Sequence, residues 1–158
     1  MSYYIGIDLG TSSVKLCLTD GQGALIRESG RSYTLLQPKP GWKEIEPETW
    51  WEAACQAMEE LLDGFDGSLI RGIGVTGQMH TLILLDEAKE VIRPALMWND
   101  TRTADLVPRL KDAIKDTEIS YLCRILSTGS PAANMLWVKE NEPENFLRIR
   151  KFLIGPDY

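Results

Sequence analysis

A short polar segment near the start of the chain carries the residue types that phosphoryl transfer requires. The segment reads Ile5-Gly6-Ile7-Asp8-Leu9-Gly10-Thr11-Ser12-Ser13. Transfer of a γ-phosphoryl group needs N–H donors close to the phosphates, a carboxylate near the metal and little steric bulk. Gly10 lets the backbone approach an anion, and Thr11 and Ser12 add hydroxyl donors. Asp8 can act on Mg²⁺ through a coordinated water.

The same residues also have a structural interpretation as ordinary turn chemistry between two strands. Asp and Gly are among the commonest turn residues, so the local pattern alone leaves both interpretations open. Two other nucleotide-binding motifs are excluded for this segment, because residues 5–13 contain neither GxGxxG nor GxxxxGK[ST]. Both of those motifs also require a helix after the turn, whereas residues 14–19 alternate like a strand.

The elements that must position this segment are predicted from hydrophobic alternation and turn residues. We expect strands at residues 3–9, 14–19 and 24–33, joined by tight turns as a three-stranded antiparallel meander. A helix follows from Pro47 to about Leu62, with a core-facing stripe of apolar residues at helical spacing. That predicted stripe comprises Trp51, Ala54, Cys55, Met58 and Leu62.

The second half of the chain predicts further strands and helices. Buried strands are expected at residues 70–76 and 82–85, and a helical stripe at residues 106–114 that Pro108 should kink or delay. Ser130-Pro131 predicts a helix start, Pro143 a helix end followed by another short helix, and residues 151–154 a strand. The pattern indicates an α/β protein with a mixed sheet.

Composition narrows the class of protein. The chain has 158 residues, 44% hydrophobic and 25% charged, as in soluble globular domains. A net charge of -6 and a pI of about 4.9 disfavour nucleic-acid binding. The three cysteines, Cys17, Cys55 and Cys123, are odd in number and far apart, which favours a reduced, cytoplasmic setting over disulfides or structural zinc. No signal peptide, transmembrane helix or membrane partner is expected.

Several separated motifs resemble the FGGY family of carbohydrate kinases, most closely its xylulokinase members. They are Asp8-Leu9-Gly10-Thr11-Ser12, Gly77-Gln78-Met79-His80, residues 93–102, residues 136–144 and Pro156-Asp157-Tyr158. The resemblance runs from Tyr3 to the last residue, with the motifs in the family's order. It implies the ribonuclease-H-like (actin-like ATPase) fold, ATP and Mg²⁺ as cofactors, and phosphorylation of D-xylulose to D-xylulose 5-phosphate at its terminal hydroxyl.

The resemblance also implies roles for individual residues. Asp8 would lie beside the transferred phosphate and the Mg²⁺ ion. The nucleotide phosphates would be held by Gly10, Thr11, Ser12 and Lys15. The sugar would be bound by Gln78, Met79, His80, Trp98, Asn99 and Asp100. One difference from the family is Asn134, where relatives often carry lysine, and no function is attached to it.

Physical chemistry supports the sugar-binding roles and leaves an alternative for each residue. A polyol needs paired donors and acceptors, which His80, Asn99 and Asp100 can supply. An indole such as Trp98 can pack on the C–H face of a sugar. Alternatively, His80, the only histidine, is a satisfied residue at a strand end, and Trp98 packs in the core. Asp100 is equally compatible with capping the following helix.

The resemblance further implies that residues 1–158 are an incomplete N-terminal part of the first of two domains. The general-base aspartate and the adenosine site would then lie outside this chain, and we expect the isolated chain to show no kinase turnover. A homodimer is compatible with these expectations. Three alternatives stay open: a gluconokinase, a ribulokinase, or a non-catalytic sugar-binding module with the same fold.

Overall fold

A computed structural model describes residues 2–158, and its secondary structure is mixed α and β. The strands are β1 (Tyr3–Leu9), β2 (Ser13–Asp20), β3 (Leu25–Ser32), β4 (Glu44–Ile45), β5 (Ile70–Gly77), β6 (Ile83–Leu85), β7 (Ala95–Leu96) and β8 (Lys151–Leu153). The α-helices are α1 (Pro47–Leu61), α2 (Leu106–Ile114), α3 (Pro131–Asn141) and α4 (Pro143–Arg148). Short 3₁₀ turns occupy Gly67–Leu69, Ser120–Arg124 and Gly155–Asp157.

The first of two compact units contains the segment ending at Thr34 together with Pro47–Gln78. Its four-stranded sheet has the order β3-β2-β1-β5. The first three strands pair antiparallel, which confirms the predicted meander, and β5 pairs parallel to β1. A parallel pair needs a crossover connection, and α1 lies in the chain between β3 and β5.

Helix α1 packs on one face of this sheet through a stripe that differs from the predicted one. Its buried residues are Pro47, Trp50, Ala53, Ala57 and Leu61. They share the core with apolar strand residues such as Leu16 and Leu18. Trp51, assigned to the predicted stripe, is 59% exposed. Two neighbouring stripes satisfy helical spacing here, and packing of the small Ala53 and Ala57 side chains near the sheet selects the other one.

Two other expectations about this chain are wrong. Strand β5 is not buried, because it forms an edge of the sheet with Ile73 57% exposed and Val75 54% exposed. Helix α2 is neither kinked nor delayed by Pro108, since it begins at Leu106 and the proline falls in its first turn. The backbone N–H groups of a first turn have no helical partner, so proline removes no hydrogen bond there.

The second unit contains Leu35–Glu46 and Met79–Tyr158. Strand β4 pairs antiparallel with β7, and β6 pairs antiparallel with β8. The hydrophobic core of this second unit is formed by Leu82, Leu84, Leu96, Leu106, Trp137 and Val138. Helix α3 begins after Ser130 and α4 begins at Pro143, as predicted from the two prolines. Within residues 2–158, no helix combines the length and apolar character needed to cross a membrane.

Candidate active site

Asp8 lies near the end of β1 with an exposed side chain. In the sheet register it is directly opposite Lys15 of β2 on one side and Thr76 of β5 on the other. Cross-strand partners point to the same face of a sheet, so these three side chains form a row across it. The opposite face is the one that α1 covers, and the Asp8 carboxylate is therefore available to solvent or to a ligand.

A tight turn, residues 10–13, follows β1 and is named here the Gly10 turn. The N–H of Gly10 donates to the carbonyl of Ser13 at 3.0 Å. A Cβ atom at position 10 would lie 2.9 Å from the same carbonyl oxygen, closer than real Cβ contacts allow. Glycine is therefore required for this turn, and the absence of a side chain leaves the backbone open to an anionic group.

Tyr33 holds the Gly10 turn from the end of β3. Its hydroxyl donates to the carbonyl of Gly10, and its backbone N–H donates to the carbonyl of Ser12 at 3.0 Å. Burial raises the pKa of Tyr33 from 10.0 to about 12, and the nearby negative charge of Asp8 adds to the rise. The phenol is therefore a stable hydrogen-bond donor at neutral pH. Tyr33 was missed in the sequence, where an aromatic residue at a strand end carries no functional signal.

Gln78 holds the Gly10 turn from the end of β5. Its N–H donates to the carbonyl of Leu9 at 3.1 Å, and its side-chain Oε1 accepts from the Thr11 hydroxyl at 3.2 Å. The Nε2 atom of Gln78 is buried and finds no hydrogen-bond partner in the described residues. Gln78 belongs to the same compact unit as Asp8 and Thr11.

A depression of about 910 Å³ lies on the face of the sheet that carries Asp8. Asp8 and Lys15 line it, together with three glycines. These are Gly6, Gly30 and Gly74. Because glycine has no side chain, this face is open directly beside the Asp8 carboxylate. Within residues 2–158, no group of three or more His, Cys, Asp or Glu side chains is arranged to hold a metal ion.

The second unit contains a buried group of charged residues around Arg102, named here the Arg102 cluster. It comprises Glu44, Arg93, Asp100, Arg102 and Glu142. Arg102 pairs with Asp100 at 2.8 Å and with Glu44 at 2.7 Å, while Arg93 pairs with Glu44 and Glu142. Sequence reasoning missed Arg93 and Arg102, although both lie within a motif that carries the family resemblance. Arg102 ends the polar run Asn99-Asp100-Thr101, whose composition is typical of an exposed loop.

The Asp100 side chain is 0% exposed and its carboxylate is occupied by protein donors. It accepts from the backbone N–H of Lys43 at 2.6 Å and of Arg102 at 2.8 Å, and from the Arg102 guanidinium. It is not the N-cap of α2, because that position is Asp105. The helix-capping alternative is therefore wrong, and Asp100 holds together the loop that follows Trp98 and Asn99.

The Arg102 guanidinium is enclosed by two indole rings. It lies 3.8 Å from the centre of the Trp42 ring and 4.8 Å from that of Trp137. The two rings meet edge to face, with centroids 5.2 Å apart. Aromatic faces attract a cation that has lost its water, which offsets part of the cost of burying Arg102.

The other sugar-site candidates of the second unit lie in loops. Trp98 is 46% exposed and Met79 is 71% exposed, so the alternative that Trp98 packs in the core does not hold. His80 is exposed with a left-handed φ of 73°, in the loop between β5 and β6. The Oδ1 atom of Asn99 is buried and has no hydrogen-bond partner in the described part of the chain.

The structure thus groups the predicted site residues by unit. Asp8, the Gly10 turn, Lys15 and Gln78 belong to the first unit, while the remaining candidates belong to the second. These are Met79, His80, Trp98, Asn99 and Asp100. Gln78, expected with the sugar residues, instead contacts the Gly10 turn.

Comparisons with known proteins match the whole length of the chain. The xylulose kinase of Bacillus subtilis (strain 168) is 40% identical over 160 residues, covering 100% of this chain and 32% of that protein. A crystal structure of a xyloylose kinase from Brucella ovis superposes with a TM-score of 0.91 at 36% identity, covering 99% of this chain and 33% of the other. The gluconate kinase of Lactobacillus acidophilus superposes with a TM-score of 0.86 at 27% identity, covering 96% and 31%.

The chain therefore spans about a third of the length of the relatives that it matches. The likeness to these sugar kinases confirms the expected α/β class and the actin-like ATPase fold. The N-terminal domain of the FGGY family of carbohydrate kinases matches residues 3–158. With its exposed aspartate, its glycine-dependent turn and this match over nearly every residue, the chain belongs to the FGGY family of carbohydrate kinases.

Proposed function

We propose that the protein carrying this chain transfers the γ-phosphoryl group of ATP to the terminal O5 hydroxyl of D-xylulose. The observation that carries the proposal is the exposed Asp8 carboxylate beside a turn that only glycine can form. Relatives named xylulose kinase, 40% and 39% identical to the chain, support the choice of sugar. A cytoplasmic location follows from the need for ATP and agrees with three free cysteines in the described residues.

On the nucleotide side, we assign the phosphates of ATP to the Gly10 turn and Lys15. The N–H groups of the turn other than that of Gly10, together with the Ser12 hydroxyl, can donate to phosphate oxygens. Thr11 lies within the same turn, and Lys15 adds a positive charge on the same face as Asp8. The Asp8 carboxylate suits Mg²⁺ held through water. When bound, the ion neutralises charge that develops on the transferred group.

On the sugar side, we assign direct contacts to Met79, His80, Trp98 and Asn99. The exposed Trp98 indole offers an apolar face to the C–H groups of a sugar. The unpartnered Oδ1 of Asn99 is an acceptor that a sugar hydroxyl can satisfy. Asp100 has no lone pair directed to solvent, so its role is to position the loop that carries these residues.

Transfer also requires removal of the proton from the attacking hydroxyl, which is the task of a general base. We assign this task to no residue of the present chain. Residues 1–158 would lie in the first domain of the kinase and supply the phosphate-binding turn and part of the sugar pocket.

The test is a steady-state assay of ADP release with the product of the complete reading frame. D-Xylulose, D-ribulose and gluconate are compared as acceptors, with Asp8→Asn as the variant. We expect D-xylulose to give the highest kcat/KM, and Asp8→Asn to lower kcat by about 100-fold or more, as for loss of a group that stabilises transition-state charge. Wild-type rates with D-xylulose no higher than ATP hydrolysis without sugar would refute the proposal.

Gluconate is the second candidate substrate, because a gluconate kinase superposes on the chain nearly as well as the xylulose kinases do. The same panel separates the two sugars. A non-catalytic module would instead bind D-xylulose in calorimetry without any turnover, and without a response to MgATP.

A further inference from the structure

Gln78 connects the end of β5 to the Gly10 turn by two hydrogen bonds. Its backbone N–H donates to the carbonyl of Leu9, and its side-chain oxygen accepts the proton of the Thr11 hydroxyl. Leu9 and Thr11 lie on either side of Gly10. Gln78 is therefore attached to the residues on both sides of the glycine that shapes the turn.

The Thr11 hydroxyl has a single proton, and the bond to Gln78 uses it. Thr11 therefore presents its oxygen as an acceptor. The N–H donor beside this hydrogen bond is the Nε2 atom of Gln78. Its Nε2 atom is buried and has no acceptor among residues 2–158. A buried donor without an acceptor is costly, so a ligand oxygen that satisfies it binds more favourably.

We propose that Gln78 is a nucleotide-binding residue: its Oε1 orients the Thr11 hydroxyl, and its Nε2 donates to a phosphate oxygen of ATP held at the Gly10 turn. The inference rests on the proposed kinase function and changes the ligand of one residue within it. The motif Gly77-Gln78-Met79-His80 is thereby divided between two ligands. Gln78 serves the nucleotide, whereas Met79 and His80, which belong to the second unit, serve the sugar.

Substitution of Gln78 can separate the acceptor role of its Oε1 atom from the donor role of its Nε2 atom. Gln78→Glu keeps an acceptor for Thr11 but replaces the N–H donor by a negative oxygen that repels phosphate. Gln78→Met keeps the length of the side chain and removes both the acceptor and the donor without adding charge. Gln56→Glu is the matched control, because Gln56 is an exposed residue of α1 and the change of charge is the same.

The experiment measures binding of MgATP and of D-xylulose separately by calorimetry, using the product of the complete reading frame. We expect Gln78→Glu to weaken MgATP binding by at least tenfold and Gln78→Met by about tenfold, with D-xylulose binding changed less than twofold. Gln56→Glu leaves both affinities unchanged. In steady-state assays the two Gln78 variants raise the KM for ATP and leave the KM for the sugar unaltered, whereas Gln56→Glu changes neither.

Thr11→Val tests the connection through which Gln78 acts. If the two side chains act together, Thr11→Val combined with Gln78→Met weakens MgATP binding by less than the product of the two single effects. Independent effects would contradict the orienting role of Oε1. Thermal melting of each variant shows whether the protein is folded. If Gln78→Glu does not fold, the test relies on Gln78→Met.

The outcomes separate this inference from the proposed function. Variants of Gln78 that weaken D-xylulose binding and leave MgATP binding intact would overturn the assignment and return Gln78 to the sugar. If D-xylulose is not phosphorylated but MgATP binding responds to Gln78, the choice of sugar fails and the assignment of Gln78 holds. A wild-type protein that does not bind MgATP would refute both.

Discussion

Replacing Arg102 is the sharpest test of how the second unit is held together. Its side chain is 1% exposed and carries a positive charge, and its partner Asp100 is 0% exposed. The guanidinium donates to both oxygens of Asp100, at 3.0 and 2.8 Å, and it contacts Glu44 at 2.7 Å. Lysine retains the charge but has a single nitrogen, so Arg102→Lys cannot reproduce this planar fork.

The expected magnitudes follow from these contacts. Arg102→Lys loses at least one hydrogen bond between charged groups and the stacking on Trp42, which lowers the free energy of unfolding by about 2–3 kcal/mol. Arg102→Ala leaves the buried Asp100 without its cation and should cost about 3–5 kcal/mol. Unfolding in urea, followed by both tryptophan fluorescence and circular dichroism, measures the change.

A matched control is provided by the exposed ion pair of Arg109 with Glu140, whose side chains are 60% and 36% exposed. Arg109→Lys should change the free energy of unfolding by less than about 0.5 kcal/mol, since solvent screens such pairs. The reasoning is refuted if Arg102→Lys and Arg109→Lys have equal effects. Because Arg102 also fixes the loop after Trp98 and Asn99, Arg102→Lys should weaken D-xylulose binding while MgATP binding is retained.

Two further predictions concern backbone geometry and ionisation. Gly129→Ala should destabilise the protein by at least about 2 kcal/mol, because Gly129 has a φ of 76° and a Cβ there would lie 1.9 Å from the carbonyl oxygen of Trp98. Gly23→Ala, at φ 84° with nothing within 4 Å, should cost only about 1 kcal/mol in the same urea experiment, and equal losses would contradict the steric argument. The raised pKa of Tyr33 favours the neutral phenol in the folded state, so its stabilisation is complete below pH 10 and is lost as the pH rises through 12. Wild type should therefore lose stability relative to Tyr33→Phe between these pH values, by about 1–2 kcal/mol given partial solvent screening, and parallel stability curves would show the shift to be absent.

The local elements of the fold were largely predictable because they depend on short-range pattern. The alternation of β1, the turns of the meander and the prolines at Pro131 and Pro143 each specify local geometry through sterics and hydrogen bonding. The same holds for the Gly10 turn, where the requirement for glycine follows from a contact only three residues away.

The predictions were wrong where two different structural arrangements are compatible with the same local sequence pattern. Residues on two adjacent stripes of α1 meet the helical period, and only contact with the sheet decides that Trp50 is buried and Trp51 exposed. Strand β5 is rich in β-branched residues, and this composition suits a central strand as well as an edge strand. In this chain β5 pairs only with β1, so it is an edge strand and Ile73 and Val75 are exposed.

By itself, the sequence determined the glycine-dependent turn after β1, the order of the longer strands and of the helices, and the family to which the chain belongs. Only the tertiary structure decided what each polar side chain contacts. In the tertiary structure Asp100 is buried and paired with Arg102, and Gln78 forms a hydrogen bond with Thr11, 67 positions away in the chain. The reason is physical: hydrogen bonds and ion pairs between distant segments depend on how sheets and loops pack, and no local period or propensity encodes them.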